Sequence, residues 1–169
     1  MADKTLGMKK YYGLFFLLMT HLFVFAQQIK KMTAIELNAY IANSEKPLVV
    51  SFWATWCGSC NEEIPYFIST IKEKYKTDVE LLLVSLDIKS YYPQRIESFA
   101  VKRKYDVPIV WLNESNADVF CPLIDPKWSG AIPSTLMINN KKQYRKFYEA
   151  GMSPLHKISG IVFYYLSLA

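Results

Sequence analysis

Leu48-Val49-Val50-Ser51-Phe52-Trp53-Ala54-Thr55-Trp56-Cys57-Gly58-Ser59-Cys60 is the stretch that decides the fold. Its first six residues are a nearly continuous apolar run rich in β-formers, stopped in front by Pro47, which is the pattern of a buried strand. Two cysteines separated by two residues follow at once. From Cys57 to about Tyr75, the residues Ile64, Phe67, Ile68 and Ile71 recur at helical spacing, and Pro65 is expected to kink that helix. The cysteine pair therefore stands where a strand gives way to a helix. A thiolate there is stabilised by the free N–H groups and dipole of the helix N-terminus. The spacing puts the second sulfur within bonding reach of the first in the first helical turn. Cys57 is the expected exposed attacker and Cys60 the resolving thiol: attack gives a mixed disulfide, and Cys60 then displaces Cys57.

On either side of this stretch, strands alternate with helices. Thr33 to Asn43 reads as a helix, with Thr33 as cap, Glu36 three residues on, and Ile35, Leu37 and Ile41 as a partial apolar face. Val79 to Leu86 is a second buried strand. Pro93 to about Lys104 is an amphipathic helix presenting Ile96, Phe99 and Ala100, and Val107 to Leu112 is a short β-prone segment. Asn113 to Gly130 reads as irregular, holding Cys121, Pro122, Pro126 and Trp128. Ser134 to Ile138 is a strand, Asn139 to Lys142 a turn, and Gln143 to Glu149 an outer strand. Ser153 caps a last helix through about Leu168, with Pro154 in its first turn. Alternating strands and helices imply parallel pairing, and the late hairpin adds an antiparallel edge. The fold class is α/β, a central mixed β-sheet flanked by helices.

The 169 residues suit one domain with a short extra segment. That segment is the N-terminus. Lys9 and Lys10 precede an apolar run from Leu14 to Ala26, after which Gln27 and Gln28 are polar. This is the secretory pattern, so residues 1–26 are read as a signal peptide and 27–169 as the domain. The rival is an uncleaved membrane anchor, although Tyr11 to Ala26 falls short of the ~20 residues that span a bilayer comfortably. The expected location is the periplasm, at the inner membrane if the segment stays attached. Lys4, Lys9 and Lys10 against Asp3 account for +2 of the formal charge of +5, leaving +3 for the rest. Lys102-Arg103-Lys104 and the Lys141–Lys146 hairpin are read as solvated faces, so no nucleic-acid binding is expected.

Three cysteines make one close pair and one left over, Cys121. A zinc site would need two more ligands, which Cys121 and His156 could supply on paper. A static disulfide closing so small a loop would gain little loop entropy. A Cys–His hydrolase would need a histidine near the cysteine with an orienting partner, and His156 belongs to the final helix. Exchange chemistry needs none of these additions. It uses no metal and no organic cofactor, since the two sulfurs carry it.

Phe52 to Cys60 resembles the active-site segment of thioredoxins, and more closely that of the exported TlpA/ResA-like thiol–disulfide reductases. Glu63 and Pro65 fit that group's Cys-x-x-Glu-x-Pro pattern, and Gly130-Ala131-Ile132-Pro133-Ser134-Thr135 resembles the segment that carries its cis-proline. The resemblance covers roughly Thr33 to Leu168 and implies a thioredoxin-like fold. It makes Cys57 the nucleophile, Cys60 the resolving thiol and Pro133 the cis-proline. The backbone of Ile132 would pair with a bound client strand, and Trp56 would line the client surface. The sequence departs from the pattern twice. Ser51 stands where thioredoxin has a buried Asp, which leaves Glu63 or water to move the proton. Gly58-Ser59 lacks the proline many reductases carry there, which leaves the potential open.

The resemblance implies an enzyme that reduces disulfides of exported proteins, apocytochrome c among them, and is reset by a membrane or periplasmic redox partner. A disulfide oxidase or isomerase is the catalytic alternative. A thioredoxin-fold binding or metal-handling module is the non-catalytic one.

Overall fold

The computed structural model describes residues 28–149. The expected signal segment 1–26 and the helix read over Ser153–Leu168, with His156, lie outside the described residues. Among the described residues no helix is long and apolar enough to cross a membrane.

The elements are β1 (Lys30–Met32), α1 (Ala34–Ala42), β2 (Leu48–Trp53), α2 (Gly58–Thr70), β3 (Glu80–Ser85), α3 (Gln94–Arg103), β4 (Ile109–Leu112), α4 (Ala117–Ile124), β5 (Ser134–Asn139) and β6 (Tyr144–Glu149). The six strands form one sheet in the order β1-β4-β3-β2-β5-β6. Pairing is parallel from β1 through β4 and β3 to β2, then antiparallel from β2 to β5 and from β5 to β6. This is the mixed sheet between helices that the order of elements implied.

β2 lies at the centre, and all six of its residues are buried. Its side chains alternate between two core layers, as the pleat requires. Val49 and Trp53 join the layer beneath α2 and α3, while Leu48, Val50 and Phe52 join the layer beneath α1 and α4. The helices are set by local chemistry. Thr33 closes a capping box on α1: its hydroxyl accepts from the Glu36 N–H at 3.2 Å, and the Glu36 carboxylate accepts from the Thr33 N–H at 2.8 Å. Donation from the Thr33 N–H, and from the Thr33 hydroxyl, holds the Glu36 carboxyl below its ordinary range.

Two readings of the sequence need correction. Asn113 to Gly130 is not irregular throughout, because α4 runs through its middle. The Asn116 side chain caps α4 by accepting from the Asp118 N–H at 3.0 Å, and Phe120, Cys121 and Ile124 form its buried face. Pro122 and Pro126 mark a break in sequence, yet a helix of eight residues with its apolar face on the sheet tolerates Pro122. β1 was not anticipated at all. Lys30 and Lys31 are exposed there, and the strand exists because its backbone pairs with Val110–Leu112 of β4. α2 runs past Pro65 to Thr70 and passes into a π-helical turn at Ile71–Tyr75, so helical backbone reaches Tyr75, where the sequence placed its end.

Leu83 of β3 is fully buried between the Ser51 and Ile109 positions of its two neighbouring strands. Leu83→Ala should cost about 2–5 kcal/mol through lost burial and the cavity left behind. Urea unfolding would show this as a lower midpoint at unchanged slope.

Candidate active site at a strand-to-helix junction

β2 ends at Trp53, and the chain reaches the first residue of α2 within five positions. The turn is closed by the Cys57 N–H, which donates to the Ala54 carbonyl at 3.0 Å. Cys57 is the N-cap of α2, and its Sγ accepts from the Cys60 N–H at 3.2 Å. The sulfur thus takes the place that a serine or aspartate oxygen ordinarily takes at a helix start. No acidic residue occupies the first turn of α2, so nothing of like charge competes for those N–H groups. Cys57 and Cys60 are joined as a disulfide, with Cα atoms 5.3 Å apart.

Cys57 is less exposed than the sequence suggested: 6% of its surface is accessible, against 1% for Cys60. The order of access matches an attacking and a resolving sulfur, but the approach is narrow. Both cysteines pack into the layer beneath α2, and Ile132 packs against the edge of that layer and of the opposite one. Trp56 stands out at 62% exposure. With Leu86, Ile88, Trp111, Phe120 and Ile132 it lines a groove of about 420 Å³.

The Ile132–Pro133 peptide bond is cis, and a second cis bond joins Tyr92 to Pro93. β5 begins at Ser134 opposite Phe52, so Pro133 and Ile132 continue alongside the end of β2 that leads into Cys57. The loop that carries them is fastened from two sides. The Trp128 indole N–H donates to the Ala131 carbonyl at 2.9 Å. One carboxylate oxygen of Glu149 accepts from the Ser129 N–H at 3.0 Å, the Ala131 N–H at 3.2 Å and the Ser129 hydroxyl. Gly130 has φ +93°, a backbone that favours glycine, and a Cβ there would crowd the Ala117 Cβ at 3.3 Å. Trp128 itself belongs to the core, in tilted and edge-on contact with Phe52, Phe120 and Phe147.

Glu63 lies half-buried on α2, one turn beyond Cys60. Ser51 is buried in β2 opposite Thr135. Cys121 does not approach the pair, because it is buried in the layer on the other face of the sheet. Burial pushes its thiol pKa up, and the nearby Glu149 and Asp118 carboxylates add to the rise. His156, the other zinc ligand considered, lies outside the described residues.

Sequence reasoning missed a set of polar residues behind the cysteines. Asp87, buried just past β3, accepts from the Thr55 N–H and hydroxyl. The Thr55 carbonyl accepts from the Asn61 side-chain amide at 3.2 Å, and the Asn61 carbonyl oxygen accepts from the Tyr105 hydroxyl at 3.2 Å. Burial pushes the Tyr105 phenol up to about 12. The one local hint was Asp87 itself, an acid just past the mostly apolar run of β3.

The AhpC/TSA family profile matches residues 20–146, and the chain belongs to that family. Sporulation thiol-disulfide oxidoreductase A of Bacillus subtilis is 26% identical over 106 residues, which is 63% of this chain and 61% of that protein. The chloroplastic thioredoxin M3 of rice is 30% identical over 83 residues, covering 49% of this chain and 43% of that protein. The chain therefore spans less than two thirds of either curated relative. Among solved structures, a thioredoxin-related protein from Neisseria meningitidis serogroup B superposes with a TM-score of 0.59 at 23% identity, covering 74% of this chain and 88% of that one. The fold is thus thioredoxin-like, as the sequence resemblance implied.

The raised thiol of Cys121 carries less thiolate at neutral pH than an ordinary cysteine, whereas the Cys60 N–H favours a thiolate at Cys57. Alkylation of the reduced native protein at pH 7 should therefore label Cys57 quickly and Cys121 only after denaturation. Mass spectrometry of the two cysteine peptides checks the order.

Proposed function

We propose that this family member is an exported thiol–disulfide oxidoreductase working as a reductase of protein disulfides. One observation carries the reading: Cys57, the more accessible sulfur of a bonded pair, caps a helix whose Cys60 N–H points at it from 3.2 Å. A negative sulfur is favoured there before any substrate arrives.

In the reduced protein the Cys57 thiolate attacks one sulfur of a client disulfide. The client S–S bond breaks, the departing client sulfur takes a proton, and a Cys57–client disulfide forms. Cys60 then loses its proton and attacks the Cys57 Sγ. The client leaves as a dithiol and the Cys57–Cys60 disulfide is made, so two electrons pass from the pair to the client. Glu63, a turn along α2, accepts the Cys60 proton in this reading, directly or through water. The cis Ile132–Pro133 segment and Trp56 border the path to the sulfurs, and the Ile132 backbone pairs with the extended client strand. A dithiol partner at the membrane or in the periplasm returns two electrons to the pair.

The location follows from the sequence of residues 1–26, read as a signal peptide, with residues 27–169 as the domain. The clients are then exported proteins with disulfides, apocytochrome c among them.

Cys60→Ser should accumulate a mixed disulfide with client protein, seen as a higher band on non-reducing gels, because the resolving step is lost. Cys57→Ser should accumulate none. Equal trapping by the two variants would contradict the assigned roles.

A further inference from the structure

We propose that Asp87 is a positioning residue for the nucleophile: joined to Thr55, its buried carboxylate fixes the loop that holds the Cys57 sulfur against the N–H of Cys60. The inference rests on the reading of Cys57 as the attacking sulfur, and it concerns how that sulfur is kept in place.

Asp87 is 3% exposed. Its Oδ1 accepts from the Thr55 hydroxyl at 2.8 Å, and its Oδ2 accepts from the Ser85 hydroxyl at 2.8 Å. The Thr55 N–H forks to both oxygens, at 3.1 and 3.0 Å. All four of these bonds come from neutral donors, the N–H and hydroxyl of Thr55 and the hydroxyl of Ser85. Burying a carboxylate on neutral donors alone is costly, and an apolar residue would fill the same space without that cost. What a carboxylate adds is two acceptor oxygens in one plane, able to take an N–H and a hydroxyl of the same residue together.

Thr55 is held from its other side as well. Its carbonyl accepts from the Asn61 amide, and Asn61 is in turn bonded by Tyr105. Both backbone polar groups of Thr55 are thus occupied by side chains from other elements. Asp87 is itself anchored, since its carbonyl accepts from the Trp111 indole N–H at 2.7 Å. Thr55 lies two residues before Cys57, and Asn61 directly follows Cys60. The joint therefore grips the active-site turn on both flanks while making no bond to either sulfur. It can stay closed as Cys57 passes from disulfide to thiolate to mixed disulfide. The quantity it protects is the 3.2 Å contact from the Cys60 N–H to Cys57 Sγ, which a loop shift of about 1 Å would break.

The test is the pH midpoint of Cys57 alkylation by iodoacetamide in the reduced full chain, followed on the Cys57 peptide, with thermal unfolding measured alongside. In Asp87→Ala the joint is lost, and the midpoint should rise by about one pH unit as the thiolate loses its donor. Thr55→Val removes one strut and keeps the carboxylate, and should raise the midpoint by less. Asp87→Asn can remake the joint, because one oxygen can still accept from both the Thr55 N–H and the Thr55 hydroxyl, as Oδ1 does, while the Ser85 hydroxyl turns to accept from the new amide, and it should stay close to wild type. If Asp87→Ala does not fold, the direction of change in Thr55→Val decides. Unmoved midpoints in folded Asp87→Ala and Thr55→Val would make Asp87 a scaffold residue only. An equal fall in Asp87→Ala and Asp87→Asn would make its influence purely electrostatic, and either result overturns the proposal. Failure of the underlying reading looks different: wild-type Cys57 would titrate as an ordinary thiol, and no variant would trap a client.

Discussion

Burial of β2 on both faces is the constraint on which the rest of the structure depends. A strand buried on both faces must be apolar on both, must have neighbours on both edges, and must be covered by helices above and below. β2 meets all three conditions: six buried residues, β3 and β5 alongside, and α1 with α4 opposite α2 with α3. Its end is therefore fixed in three dimensions. The chain has to leave the sheet at Trp53 and return over it as α2, and Cys57 falls at the turn. The chemistry of the cysteine pair follows from where the strand stops, because that is where a helix N-terminus becomes available to a sulfur.

Two carboxylates then hold the loops that meet near the pair. Asp87 binds the turn that carries Cys57, and Glu149 binds the loop that carries Ile132 and Pro133. Each accepts from backbone N–H groups that regular structure leaves unpaired. Each also reaches from a distant point in the chain, 32 and 18 to 20 residues away. The groove beside them is open and largely apolar.

The parts of the fold with strong periodicity were legible in the sequence. Leu48–Trp53 was read with its observed boundaries, and the capping box of Thr33 and Glu36 was read from spacing alone. The elements that were not legible depend on partners far away in the chain. β1 is three residues with two exposed lysines, and only β4 makes it a strand. α4 shows its apolar face at Phe120, Cys121 and Ile124, but Pro122 in the middle argues locally against a helix. In the site, Cys57, Cys60, Trp56, Ile132 and Pro133 could be named because their motifs are local. Asp87, Thr55, Asn61, Tyr105 and Glu149 could not, because their roles are hydrogen bonds between elements, and sequence spacing does not encode those. The expectation of a freely exposed Cys57 overlooked that a residue capping a helix at the end of a buried strand is itself drawn into the core layer.

The direction of exchange is the central claim. Ser51 replaces an acid beneath the pair, and Gly58-Ser59 separates the sulfurs without a proline, so neither feature dictates the potential from sequence. The measurement that addresses it most directly is the reduction potential of the Cys57–Cys60 pair in the full chain, equilibrated against a dithiol buffer. A reductase requires a value near or below thioredoxin's, about −270 mV. A value near that of a strong oxidase, about −120 mV, would contradict the account and make the protein a donor of disulfides instead.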